Sequence, residues 1–159
     1  MSDTQMATNK APSIRAMQPT LTVYNLARHF QRYQEHVTRA RNGQWIIGFG
    51  HRTDARIRTH LTLQEAKYIL ENDIDNAARA LNHSLETPVS QGCFDALTDW
   101  LLATDRETLE RSETIRAVNL GWSSARAKFQ FEQLGQVASI QSERFRRTCE
   151  LDIWAHDRG

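Results

Sequence analysis

Residues 42–51 read NGQWIIGFGH, and the histidine that closes the run is the first candidate for chemistry. An imidazole can serve as a base or a metal ligand. The six histidines show no metal-ligand spacing, so no metal and no cofactor are expected. Cys93 and Cys149 form no Cys-x-x-Cys pattern, and their separation leaves two reduced thiols and one disulfide both open. Arg52, Arg56 and Arg58 follow the histidine and could form a basic patch, although a solvated loop is the ordinary reading of such a run. Four tryptophans could stack on sugar rings. Trp100, Trp122 and Trp154 read as packing residues, whereas Trp45, inside the glycine-punctuated run, is the candidate for a ligand platform.

Bulk properties set the frame for these residues. A chain of 159 residues can bury one real core, or a core shared by two small lobes. The formal net charge is +1 with 25% charged residues, a balance that demands neither nucleic acid nor an anionic polymer as partner. No apolar run approaches membrane-spanning length and no signal-peptide core opens the chain. The expected location is therefore cytoplasmic, or wherever another factor delivers the protein.

The elements that must position these residues are mostly helical. Residues 1–20 are polar, hold Pro12 and Pro19, show no apolar period, and read as a mobile arm. Val23, Leu26, Phe30 and Tyr33 form the stripe of an amphipathic helix over 21–34, fading near Glu35. Residues 37–50 read as strands turned at Asn42-Gly43, a pair that accepts the positive φ of a tight turn. Thr62-Leu63-Gln64-Glu65 is a capping box, followed by Leu63, Ala66, Leu70, Ile74, Ala77 and Leu81 at helical spacing. That helix is expected over about 62–83. Further helices are predicted over 90–104 and 106–119, then one capped by Ser123 that carries Phe129 and Leu134. A last one begins after Gly135 and carries Val137, Ile140, Phe145 and Ile153. The class is α+β and mostly helical, with the strands gathered near the start.

Five stretches in order carry a family resemblance. Gly43-x-Trp45-x-Ile47-Gly48-Phe49-Gly50-His51 resembles the hairpin signature of the phage-type lysozymes, the endolysin muramidases. LTLQEAKYILENDI at 61–74 is similar to that family's connecting helix, and FDAL at 94–97 to the start of its helical lobe. Ser112 through Asn119 and Gly121 resembles a later segment, and RRTCE at 146–150 the late Arg-Arg-x-x-Glu. The resemblance covers about residues 21–154. It implies a small hairpin lobe over about 35–61, joined by the long helix to a helical lobe over about 88–155 that includes the helix 21–34. It also implies a single lysozyme-like domain over 21–159. In such proteins the motif histidine is structural and pairs with a carboxylate on the connecting helix, here Asp73. Gly43, Gly48 and Gly50 would shape the hairpin.

The positions that would carry chemistry are altered. The family resembles inverting glycosidases: a carboxylic acid protonates the leaving oxygen, while a second carboxylate and a threonine place the attacking water. The acid, twenty residues before the motif histidine, corresponds to Gln31; the carboxylate corresponds to Ala40 and the threonine to Ile46. A carboxamide has no proton to give at neutral pH. Ala40 carries no charge to orient water, and Ile46 puts hydrocarbon where a hydroxyl should stand. The glycine after the acid is Arg32, and the tyrosine before the carboxylate is Thr38. In FDALTDWLLATD, Ala103 and Asp105 occupy the positions of an Asn and a Gly that shape the far wall of the groove. Trp45, Phe49, Ala103 and Asp105 are thus the candidate groove residues.

The favoured reading is a catalytically inactive, lysozyme-like domain that binds a protein partner or a peptidoglycan fragment. One alternative is an active muramidase that hydrolyses the bond between N-acetylmuramic acid and N-acetylglucosamine with a relocated acid. Glu35 is its candidate, one helical turn beyond Gln31 if the helix continues. The other is an unrelated helical interaction or regulatory domain.

Overall fold

The first helix starts where Thr20 turns its side chain onto the Thr22 N–H. A computed structural model describes residues 16–40, 43–54, 60–104, 106–136 and 141–156. Asn42, Arg56, Arg58, Asp105, Val137 and Ile140, singled out above, lie outside the described residues, as do residues 1–15 of the arm. The end of that arm is held in place. Met17 exchanges two hydrogen bonds of 3.0 Å with the Asn82 side chain, and Thr20 bonds Asp95 through both its N–H and its hydroxyl.

Helix α1 is Leu21–Phe30, with Val23 and Ala27 buried. It stops four residues earlier than its apolar stripe suggests. Gln31 turns to extended backbone while its N–H still reaches the Ala27 carbonyl at 2.8 Å. Tertiary contacts then take over, since the Tyr33 hydroxyl donates to the Leu61 carbonyl and Leu61 N–H donates to the Glu35 carbonyl at 2.9 Å. Glu35 consequently lies on a strand and not on a helix face shared with Gln31.

Three strands, β1 Gln34–Arg39, β2 Trp45–Gly48 and β3 His51–Arg52, form an antiparallel sheet in the order β1-β2-β3. Thr38 faces Ile46 and Arg39 faces Trp45 across one pair, and Ile47 faces His51 across the other. A bulge between Gln34 and Thr38 bends β1. The hairpin closes through Ala40 N–H to the Gln44 carbonyl and Gly43 N–H to the Ala40 carbonyl, with Gly43 at φ +87°.

Helix α2, Leu63–Ser84, opens on the expected capping box: Thr62 and Glu65 exchange two bonds of 3.1 Å. Asn119 staples its other end, bonding the Ser84 carbonyl and the Glu86 N–H. Its buried stripe serves two clusters. Ala66, Leu70 and Ile74 join Val23, Ala27 and Phe49 beside the sheet. Ala78 and Leu81 join Phe94, Leu97, Trp100 and Phe129 in the larger core. His51 adds a polar tie between sheet and helix, its Nδ1 standing 2.8 Å from Asp73 Oδ2.

The remaining helices are α3 Gln91–Leu102, α4 Arg106–Arg111, α5 Glu113–Asn119, α6 Ala125–Gln136 and α7 Gln141–His156. The single helix anticipated over 106–119 is two, because the Ser112 side chain takes the Ile115 N–H and starts a new helix. Gly135 lies within α6 and does not mark the start of the last helix, which is described from Gln141. Phe145, one of the apolar residues expected on the last helix, is 57% exposed, although its ring sits 5.7 Å from that of Phe30. Trp122 is likewise exposed, under the Lys128 ammonium. Both cysteines are free thiols, Cys93 buried and Cys149 half-buried.

Helices α3 and α7 meet around buried charge. Arg146 grips Asp99 with two bonds, Nε to Oδ2 at 2.9 Å and a terminal nitrogen to Oδ1 at 2.8 Å. Glu150 is fully buried beside them, with Arg147 Nε 3.3 Å from Oε1 and neither carboxyl oxygen accepting a hydrogen bond. Burial pushes the Glu150 carboxyl well above the usual range; the Arg147 guanidinium pulls the other way, and the neighbouring Asp99 adds to the rise. Burial also acts to raise Asp99, but the neighbouring Glu150 carboxyl and the Arg146 guanidinium outweigh it and hold Asp99 below the usual range.

Two predictions follow from these charges. Replacing Asp99→Ala strands a buried guanidinium and should cost about 3–5 kcal/mol in urea unfolding. Glu150→Gln keeps a neutral donor and should cost no more than about 1 kcal/mol; a loss as large as that of Asp99→Ala would mean that Glu150 is ionised. His51 has its pKa raised, first by the hydrogen bond to Asp73 and against some desolvation. Its contribution is therefore complete below the ordinary value of 6.5 and declines as pH rises through the folded value. Asp73→Asn should remove that decline between about pH 6 and pH 8, an effect under about 1 kcal/mol because the imidazole is partly solvated. Paired urea midpoints at the two pH values measure it.

Candidate functional site

The end of α1, the Phe49-Gly50 turn and the middle of α2 enclose a cleft of ≈ 530 Å³, floored by α3 and α7. Gln31 enters it from the residue that terminates α1, where the change to extended backbone turns the side chain away from the helix. Gly50 faces it at φ +77°. A Cβ there would stand 2.8 Å from both Cδ and Oε1 of Gln31, so the bare backbone of Gly50 lets the amide lie against the hairpin. Phe49 forms part of the apolar wall, with the Arg28 guanidinium 5.5 Å above its ring and the Tyr33 ring 5.8 Å away.

Among the described residues lining the cleft, Asp73 is the sole carboxylate, and both its oxygens lie within 3.1 Å of His51 Nδ1. That bond keeps His51 charged to higher pH and commits Asp73 to an acceptor role. Arg146 reaches the floor with its guanidinium already bound to Asp99. The arrangement offers an amide, cations and aliphatic walls, and no free acid within the described lining. A glycosidic oxygen placed there would meet hydrogen-bond donors but no carboxylic proton.

The other sequence-derived residues fall outside this cleft. Ala40 closes the hairpin, and Ile46 is half-buried in β2 between Thr38 and Arg52. Glu35 is exposed on β1, its carboxylate 2.8 Å from His60 Nε2, and it does not line the cleft. Trp45 is 39% exposed on the hairpin beneath the Arg39 guanidinium, and Ala103 is the exposed cap at the end of α3. Of the candidate groove residues, Phe49 alone is placed among the described lining.

Several lining residues had not been anticipated. Arg52 on β3 and Asn76, Arg79 and His83 on α2 all border the cleft. A signal existed: Asp73, Asn76, Ala80 and His83 recur at three- and four-residue steps on one helical face. Asp99 gave a second signal, being with Asp95 one of two carboxylates buried on the largely apolar α3. Among the described residues no group of three or more His, Cys, Asp or Glu side chains could hold a metal, and no helix is long and apolar enough to cross a membrane.

Comparison with known proteins agrees with the architecture. The phage lysozyme family profile matches residues 28–150. An endolysin of Acyrthosiphon pisum secondary endosymbiont phage 1 is 28% identical over 90 residues, a stretch that is 56% of this chain and 62% of that relative. Among solved structures, the muramidase domain of SpmX from Asticaccaulis excentricus superposes with a TM-score of 0.73 at 25% identity, covering 86% of this chain and 97% of that one. The endolysin of Escherichia coli O157:H7 phage FAHEc1 gives 0.72 at 21% identity, with 88% and 94% covered, which is a likeness of fold. An accidental hairpin match in an unrelated helical domain is thereby excluded. A hairpin packed beside a long helix, the His51–Asp73 tie and a match that spans most of the chain together make this protein a member of the phage lysozyme family.

Proposed function

We propose that this domain keeps the lysozyme fold as a binding scaffold and does not cleave the glycan. The observation that carries the reading is Gln31: the residue at the acid's position is an amide, in a cleft whose one described carboxylate is engaged by His51. Ala40 and Ile46 remove the second carboxylate and the hydroxyl that would place water. Breaking an unactivated glycosidic bond needs both proton donation and stabilisation of an oxocarbenium-like state, so these changes act on the same step. The fold-forming residues are intact beside them, among them Gly48, Gly50, His51, Asp73, Arg146 and Glu150. Such a domain binds a protein partner or a peptidoglycan fragment, and works in the cytoplasm or wherever another factor delivers it.

The relocated-acid alternative rests on Glu35, and the geometry counts against it. The helix that would align Glu35 with Gln31 ends at Phe30, and the carboxylate is held at His60. Turbidity of purified peptidoglycan tests the proposal. Wild-type protein should not clear the suspension at concentrations where an active endolysin does. The Gln31→Glu/Ala40→Asp/Ile46→Thr variant should gain clearing, since general acid–base groups contribute about 10²–10⁴-fold each. Clearing by the wild type that disappears in Glu35→Gln would overturn the reading.

A further inference from the structure

After internal pairing, the charges lining the cleft do not cancel. Asp73 is taken by His51, and Arg146 by Asp99. Arg52, on the sheet side, and Arg79, on α2, have no ion-pair partner among the described residues, and His83 stands one helical turn beyond Arg79. Between these groups the wall is aliphatic, with Leu70, Ala77, Ala80, Leu101 and Leu109. Arg79 and His83 also border a second depression of ≈ 360 Å³, whose other walls include Met17, Leu85 and Val89. The two hollows are thus consecutive stations along α2, joined across Arg79 and His83.

We infer, resting on the binding-scaffold reading, that this path seats an extended acidic segment of a partner protein, with carboxylates on Arg52 and Arg79 and intervening apolar side chains in the two hollows. Three features select a peptide over a glycan. The unpartnered groups are guanidiniums, whose forked donors match carboxylates. The described walls are mostly aliphatic: Phe49 is their one aromatic and is buried, and Gln31, Asn76 and Thr104 are their few neutral polar side chains. Trp45, which could offer a sugar an exposed aromatic face, stands outside the cleft. Two hollows in line favour a chain that alternates apolar and acidic side chains over one compact ring, and the larger lies within the usual ~300–1,000 Å³ of ligand clefts.

The test uses the full chain and fluorescence anisotropy. The probes are labelled peptides of about ten residues, long enough to span about 33 Å when extended. One alternates Glu and Leu; the others replace Glu by Gln or by Lys, and a muropeptide fragment competes. The acidic peptide should bind at least about tenfold more tightly than the neutral one, and weaken as salt rises. The Arg52→Gln/Arg79→Gln variant should lose about tenfold in affinity, Arg79→Lys should lose less, and Arg116→Gln, on distant α5, should lose nothing. Unchanged thermal melting of the exposed-residue variants separates lost binding from lost fold. Equal binding of acidic and neutral peptides would overturn the inference. So would acidic binding untouched by the double variant, or muropeptide as the sole ligand sensitive to it. Clearing of peptidoglycan alongside Arg-dependent peptide binding would remove the inactive reading and leave the docking path, whereas neither activity would remove the path alone.

Discussion

Taking two guanidiniums and two carboxyls out of water constrains everything around them. Asp99 on α3 and Arg146, Arg147 and Glu150 on α7 are all buried. Their desolvation penalty is met only if the helices hold one separation and one rotation, because each hydrogen bond of the Asp99–Arg146 fork fixes both atoms of the other. Helix α3 is buried along almost its whole length, so its placement sets that of its neighbours. Arg146 also reaches the cleft floor and passes within 5.9 Å of the Phe30 ring, at the last turn before Gln31. The buried charge thus orders the large core and the cleft with the same side chain.

The site above it separates two kinds of requirement that an enzyme must satisfy together. Shape comes from glycines in the hairpin, from the His51–Asp73 bond and from the early end of α1. Reactivity would come from side chains at positions 31, 40 and 46, and here those are an amide, a methyl and a branched hydrocarbon. Gly50 shows that the two are independent. Its open backbone accommodates Gln31 as it would any flat, forked side-chain end, so an amide at this position places no demand on the hairpin.

Much of the architecture was legible because it is written in local rules. The capping box at Thr62 and Glu65, the long stripe behind it and the paired His51 and Asp73 could be read directly or through the family motif. What was missed depends on distant contacts. The stripe from Val23 to Tyr33 continues smoothly past Phe30, and only the Tyr33 hydroxyl reaching Leu61 explains why the chain leaves the helix. Ser112 divides a region of unbroken apolar spacing by a side-chain bond to Ile115. Phe145 obeys the helical period and still faces solvent, because period identifies a stripe without naming what covers it. In the cleft, tertiary contacts alone engage Asp99 with Arg146 and set Arg79 and His83 between the two hollows. Their roles are properties of pairing, which spacing along a single chain does not encode.

One helix, α2, contributes side chains to both apolar clusters. The lips of the cleft are therefore attached to the same elastic rod: separating them requires either curving that rod or pulling one cluster off it. Gentle curvature is the softer mode, since helices bend with small changes in hydrogen-bond length while close-packed side chains resist being parted. Anything lodged between the lips would do its work as bending strain in α2, and the distance between His51 and the end of α3 would act as its strain gauge.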